Sequence, residues 1–323
     1  MLAFIARRLI ISVLVLFGIS ILLFAMLRWM PGDPTEALLD PLSFTGDREA
    51  ALADLRRRLG LDRSLVVQYF SWLREVLQGN LGYSYVDGRP VTEILGDRLG
   101  ATVRLMSASV FIGLLVGVPL GIIAAIRKNS LIDYFSSAGS LLMISVPSFF
   151  TALVGIYVFG IKLGWLPTSG QNTPGETGLL DSLEHLILPA SILGLSLAGP
   201  YMRYVRSSLL EVLSQDFLVT ARSKGLTRLR VVGRHALANA LIPLITVMAV
   251  QLPALFGGAV VIEQMFAWPG MGRMALDAVN ARNYPIILGF VMFVSILVLL
   301  SNLAADVLYA IVDPRVRTGQ EES

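Results

Sequence analysis

Hydrophobic residues run along this chain in long unbroken blocks, not in the alternating or one-sided patterns of elements that meet water on one face. Six blocks reach or approach the roughly 20 helical residues needed to cross a bilayer. They cover Leu9–Leu27, Leu105–Ile126, a stretch within Tyr134–Ile161, Leu186–Met202, Leu241–Ile262, and Ile286–Ala305 with an extension toward Ile311. A backbone in lipid must satisfy its own hydrogen bonds, so the blocks predict helices, not open strands. Between the first two blocks, Leu65–Leu77 has a different pattern, with Leu65, Tyr69, Trp72, Leu73 and Val76 on one face. That spacing predicts an amphipathic helix packed on the outer end of the bundle, with a docking surface for an external partner as the alternative.

Composition agrees with a membrane location. Of 323 residues, 55% are apolar and 15% charged, against about 25% charged in a typical soluble domain. Disorder requires low hydrophobicity and is excluded. The chain has no cysteine, which removes disulfide, thiolate and cysteine–metal chemistry, and its two histidines, His185 and His235, lie 50 residues apart. No Gly-x-x-x-x-Gly-Lys stretch surrounds any of the three lysines, so no Walker-type phosphate cradle is expected. Metal, thiol and nucleotide chemistry are therefore not expected of this chain, and no cofactor is implied.

The charges that remain predict a topology. Arg7 and Arg8 precede the first block, Arg127 and Lys128 fall between the second and third, and residues 203–240 hold seven basic residues against Glu211 and Asp216. Arg315 and Arg317 follow the last block, whereas the opposite loops offer only Lys162, Arg273 and Arg282. By the positive-inside rule both termini face the cytoplasm. The basic bias is thus a topology signal and no nucleic acid is needed to explain it. The first block is too long for a signal peptide and lacks a small-x-small cleavage site, so it reads as a retained helix. Residues 28–104, with ten arginines and eleven acids, would form a small folded region outside.

Within the blocks, Gly113, Gly117 and Gly121 recur every fourth residue and predict close packing of a neighbouring helix. Prolines 119, 147, 189, 200, 243 and 253 are kink sites. Glu263, Asp306 and Asn302 are the polar groups near the blocks, which are functional candidates by position or else structural hydrogen-bonding groups. No proton-relay chain or arginine ladder occurs.

The most informative stretch is Ser214–Thr246. Asp216 suits a helix cap before Phe217, Gly225 suits its left-handed stop, and Thr227 suits the cap of a second helix. The enclosed helix of about eight residues, roughly 12 Å long, is too short to persist alone in water. It suits either a partner that grips it or lipid headgroups facing Arg222, Lys224, Arg228 and Arg230. The residues Thr220-Ala221-Arg222-Ser223-Lys224-Gly225-Leu226, Arg234-His235-Ala236-Leu237 and Asn239-Ala240-Leu241-Ile242-Pro243 resemble the EAA loop of ABC importer permeases, in its dipeptide and oligopeptide permease form. Thr220, Arg222 and Ala238 depart from the general EAA pattern in ways common to that branch. Pro31-Gly32-Asp33-Pro34, Gly79-Asn80-Leu81-Gly82-Tyr83-Ser84, Arg89-Pro90-Val91, Arg98-Leu99, Glu263-x-x-Phe266-x-x-Pro269-Gly270-x-Gly272 and Tyr309-x-x-x-Asp313-Pro314-Arg315-Val316-Arg317 are similar to the rest of that permease, while Gly100 and Arg104 depart from it.

The resemblance implies an all-α integral membrane fold of six transmembrane helices, the MetI-like fold of type I ABC importers, in a multi-pass protein of the bacterial inner membrane. A first region, 1–104, would carry one helix and the external loop. A five-helix core, 105–323, would carry the coupling loop at 203–240. It implies a permease subunit that is not itself an enzyme, paired with a second homologous permease, two cytoplasmic ABC ATPases and an external substrate-binding protein, with membrane lipid around it and a peptide as substrate. Asp216, Phe217, Thr220, Ala221, Arg222, Lys224 and Gly225 would make the ATPase-coupling element. Gln251, Gly257, Gly258 and Glu263 are candidates for the translocation pathway. Alternatives are a self-sufficient ion-coupled carrier or channel, or an ABC permease for a nickel chelate or glutathione.

Overall fold

The structure, a computed structural model, describes residues 2–29, 48–58, 61–176, 178–223, 227 and 230–312. Among them the regular elements are helices, with one isolated antiparallel bridge between Tyr83 and Pro90. The chain divides into two compact units. One contains Met1–Ile5, Leu99–Arg273 and Val298–Ser323; the other contains Ala6–Arg98 and Met274–Leu297.

The second unit begins with α1 (Leu2–Trp29, from Ala6 onward), which holds the first apolar block. Then come α2 (Arg48–Arg58) and α3 (Leu65–Leu77), the latter with the limits its amphipathic pattern predicts. The Gly79–Pro90 turn follows. Its Ser84 and Asn283 side chains are hydrogen-bonded at 2.8 Å, and the Tyr85 amide donates to the Asn283 side chain at 3.2 Å. A left-handed backbone at Gly79, Gly82 and Gly88 makes the turn possible. Ser84 donates a hydrogen bond to Asp87 that pulls its carboxyl below the ordinary aspartate value, against a smaller desolvation effect.

The first unit is organised by α4 (Val91–Ile126, from Leu99 onward), α5 (Leu131–Ser145), α6 (Ser148–Gly155, continued by a π-helical turn Ile156–Lys162), α7 (Leu179–Leu213) and α10 (Ile242–Met265). Between α7 and α10 lie α8 (Asp216–Ser223), a π-helical segment Val231–Ala236 and α9 (Leu237–Ala240); α11 (Met271–Asn280) and α12 (Tyr284–Val312) complete the chain. Leu105, Leu188, Leu193, Val205, Leu255, Ile262 and Trp268 form the apolar core.

The glycine stripe of α4 is a close helix contact. A Cβ on Gly117 would fall 2.7 Å from the Ala198 carbonyl oxygen, and one on Gly121 would fall 2.7 Å from that of Met202. From the other side, a Cβ on Gly194 would fall 2.7 Å from the Ser109 carbonyl. Small residues on both helices let the backbones of α4 and α7 approach this far.

Among the described residues, five helices are long and apolar enough to span a bilayer, and the sixth candidate is a bent pair, Leu131–Ser145 with Ser148–Lys162, at 98°. The single span expected within Tyr134–Ile161 is therefore broken. Pro147 has no amide to donate and disfavours helical geometry at the residue before it; Val146 is accordingly extended, at ψ 123°. Pro189 and Pro200, by contrast, lie inside the continuous α7. An apolar cavity of about 530 Å³ fills the crook of the bend, between Val146, Phe150, Val154, Leu188 and Ile192.

Candidate functional site

The loop between α7 and α10 is built by short-range bonds. Ser214 closes α7 with its hydroxyl donating to the Glu211 carbonyl at 2.7 Å, and α8 starts two residues later. Its observed limits, Asp216–Ser223, differ by one residue from the expected helix after Asp216, within the normal ambiguity of helix ends. Thr220, Ala221 and Arg222 fall on the second half of this helix. Lys224 and Gly225 lie outside the described residues, so the expected glycine stop does too. The Thr227 carbonyl accepts from the Val231 amide at 3.0 Å, the first bond of the next helical segment.

Leu218 holds α8 in place. It is fully buried in a cluster with Ala125 at the end of α4, Leu209 of α7, Val231, Ala236 and Ala240. Phe217, next to it, stays 45% exposed. The short helix therefore has a root and a free aromatic. Sequence reading missed Leu218, since one leucine among many apolar residues carries no signal until its neighbours fold around it.

A second device ties α5 to α7. Arg206 donates twice to Asp133, from Nε to Oδ1 at 2.6 Å and from Nη2 to Oδ2 at 2.8 Å. Asp133 also accepts from the Asn129 amide at 3.0 Å, and its own amide donates to Ser130, which caps α5. The partners are 73 positions apart, so spacing could not pair them.

Glu263 ends α10 and is fully buried. Its Oε1 accepts from the Thr102 hydroxyl at 2.6 Å; its Oε2 accepts from the Gly272 and Arg273 amides at 2.7 and 3.1 Å. Thr102 in turn accepts from the Met271 amide at 2.8 Å. The first three amides of α11, which no helical turn can satisfy, are thus paired by one carboxylate and one hydroxyl. Negative charge at a helix N-terminus is also favoured by the helix dipole. Trp268, almost wholly buried, donates its indole N–H to the Ala101 carbonyl at 2.9 Å.

This geometry explains the Glu263-x-x-Phe266-x-x-Pro269-Gly270-x-Gly272 spacing. Phe266 is buried, a Cβ on Gly270 would overlap the Glu263 carboxylate, and one on Gly272 would press on Val260 at 2.6 Å. The other pathway candidates are placed differently. Gln251 is half-buried and Gly257 faces open space, on the side of α10 that also exposes Val250 and Ala254. A Cβ on Gly258 would lie 3.1 Å from Leu193 of α7, so that glycine is at a helix contact. The four candidates do not form one cluster. Among the described residues, no three His, Asp or Glu side chains are grouped to hold a metal ion.

The fold defines an all-helical protein of the membrane with several spans. Its relatives are specific. Residues 117–318 match the family described as "Binding-protein-dependent transport system inner membrane component", and residues 1–106 match the corresponding N-terminal family. The chain is 41% identical over 318 residues to the oligopeptide transport system permease protein AppB of Bacillus subtilis (strain 168), covering 98% of this chain and 99% of that one. It is 38% identical to the di/tripeptide transport system permease protein DppB of Pseudomonas aeruginosa (strain UCBPP-PA14), over 98% of this chain and 99% of that one. It is also 37% identical to the glutathione transport system permease protein GsiC of Escherichia coli (strain K12), with the same 98% and 99% coverage. A solved chain of the MetNI methionine ABC transporter, in an inward-facing conformation, shares the fold with TM-score 0.55 and 20% identity, over 68% of this chain and 96% of that one. The chain belongs to the inner-membrane permease family of binding-protein-dependent transport systems. It is a transport subunit, and its family implies ATPase and substrate-binding-protein partners.

Proposed function

We propose that this chain forms half of the pathway of an ATP-driven importer of di- and oligopeptides, with a second related permease supplying the other half. One of two cytoplasmic ATPases would grip α8 and an external binding protein would deliver the peptide. The chain itself would carry out no covalent chemistry. The reading rests chiefly on near-full-length similarity to AppB and DppB. The form of α8 supports it, because a helix rooted by Leu218 and presenting Phe217 can pass a push to α7 without melting. In this arrangement the loop 203–240 and both termini face the cytoplasm.

The test is uptake into proteoliposomes. Labelled dipeptide and oligopeptide, compared with glutathione, should enter only when the second permease, the two ATPases, the binding protein and ATP are all present. Uptake by this polypeptide alone, without ATP, would mean a self-sufficient carrier or channel and would overturn the reading. In the full assembly, Phe217→Ala should lower uptake at least about tenfold, the effect of losing roughly 1.4 kcal/mol of coupling, at unchanged membrane abundance. Unaltered uptake would remove α8 as the coupling element. If glutathione is transported and peptides are not, the substrate assignment moves to the other relative.

A further inference from the structure

The geometry points to α3 as a helix immersed in one leaflet of the bilayer, with acyl chains covering its exposed apolar face. Three observations, all within the unit Ala6–Arg98 and Met274–Leu297, place it there.

The first is depth. The buried side of α3 lies against the interior of the spans, not against their ends. Tyr69 makes edge-on ring contacts with Phe17 and Phe24 at 6.1 and 5.5 Å, and its hydroxyl is 2.8 Å from that of Ser20. The uncharged apolar run along α1 ends at Leu27, before Arg28, which puts Ser20 about 10 Å inside it at 1.5 Å per residue. Trp72 and Val76 pack in a cluster with Leu23, Leu288 and Met292. The apolar run of α12 begins at Ile286, so Leu288 and Met292 lie about 3 and 9 Å inside it by the same rise. Two independent spans thus give the same depth, that of an interfacial helix sunk about 5–10 Å into a leaflet.

The second is chemistry. The side of α3 turned away from the spans carries Val66, Phe70 and Leu77, exposed by 64, 57 and 80%. In water at a loop that would be a costly patch. Arg74, one turn after Phe70, has a long stem able to lie along apolar surface while its charge reaches the headgroups. The third is the neighbour. α1, on which α3 packs, leaves Leu14 and Leu22 each 64% exposed, as a span surrounded by lipid does. The Ser20–Tyr69 pair fits as well, since a hydroxyl at this depth needs a protein partner.

This inference is independent of substrate and of the direction in which the chain is inserted, because it concerns the leaflet at the Met26 end of α1. Lack of cysteine makes the test direct. Single variants Val66→Cys, Phe70→Cys and Leu77→Cys of the full chain, labelled with bimane and reconstituted in liposomes, are compared with Leu22→Cys as a lipid-facing reference. Asp87→Cys, in the exposed turn, is the aqueous reference. Phosphatidylcholine brominated on its acyl chains should quench positions 66 and 70 to within twofold of position 22 and at least threefold more than position 87. Iodide in the water should show the reverse order. If 66 and 70 follow position 87 with both quenchers, α3 lies outside the bilayer, its face is free for a protein partner, and the inference fails. Because these side chains are exposed, the substitutions are not expected to disturb packing. Val67→Cys, on the same side and 44% exposed, gives a further reading if one variant is lost.

Discussion

At the scale of single residues, Glu263 shows how a buried carboxyl can close the end of a helix in a membrane protein. Its carboxylate has three hydrogen-bond donors and is fully buried. Glu263→Ala would leave the Gly272 and Arg273 amides and the Thr102 hydroxyl without their acceptor, at about 1–3 kcal/mol for each buried group stranded. Glu263→Gln keeps the shape and one acceptor oxygen and should be the milder change. The expected order in a thermal-stability assay of detergent-purified protein is wild type, then Gln, then Ala. An Ala variant as stable as wild type would show that the network contributes nothing. The sequence marked Glu263 as a residue worth explaining because it is ionisable and near a span. It did not mark Thr102, whose hydroxyl lies 161 positions away and which looks like any other threonine in the sequence.

At the scale of elements, spans were legible and their ends were not. Hydrophobicity finds where lipid is, and a helix does not stop where lipid does. The block Leu186–Met202 is the middle of α7, which runs from Leu179 to Leu213; Asp181, Glu184, Arg203 and Glu211 lower the hydropathy of its ends without breaking the helix. The block Leu105–Ile126 is similarly the far part of a helix that starts at Val91. Pro147 was visible as a kink site, but only the structure shows that it bends the pair by 98° while Pro189 and Pro200 leave α7 continuous. The Asp133–Arg206 pair joins two of these elements and its worth can be measured. Asp133→Ala leaves a guanidinium, and Arg206→Ala a largely buried carboxylate, short of a partner. Each single change should destabilise by about 1–3 kcal/mol. The double variant should lose less than the two added together, the signature of a direct interaction in a double-mutant cycle. Strict additivity would mean the pair is not coupled.

At the scale of the whole molecule, the family and the all-helical membrane fold were readable because several short motifs occurred in one order along almost all of the chain. The short helix α8 was readable as a segment, through Asp216 and its surroundings. What seats it was not, because Leu218 acts through neighbours contributed by α4, α7 and the segment before α10. The proposed insertion makes a separate prediction. In intact cells an impermeant maleimide should label Glu176→Cys, in the exposed loop after the π-helical turn. Ser214→Cys, at the end of α7, should react only after the membrane is opened. Opposite labelling would invert the topology and place α8 outside, beyond the reach of any cytoplasmic ATPase.

The glycine contact between α4 and α7 has a consequence for how such a pathway can open. Where backbone meets backbone through Gly117, Gly121 and Gly194, with carbonyl oxygens 2.7 Å from the places a Cβ would occupy, there is no cushion of side chains to deform. A shift of one rod on the other must keep these carbonyls clear of the facing backbone, which favours motion of the two together. The pair is then a single beam. If the chain alternates as proposed, the pivot should lie outside that beam, at the crook beside Pro147 or along the open flank of α10, with its two halves keeping the same register.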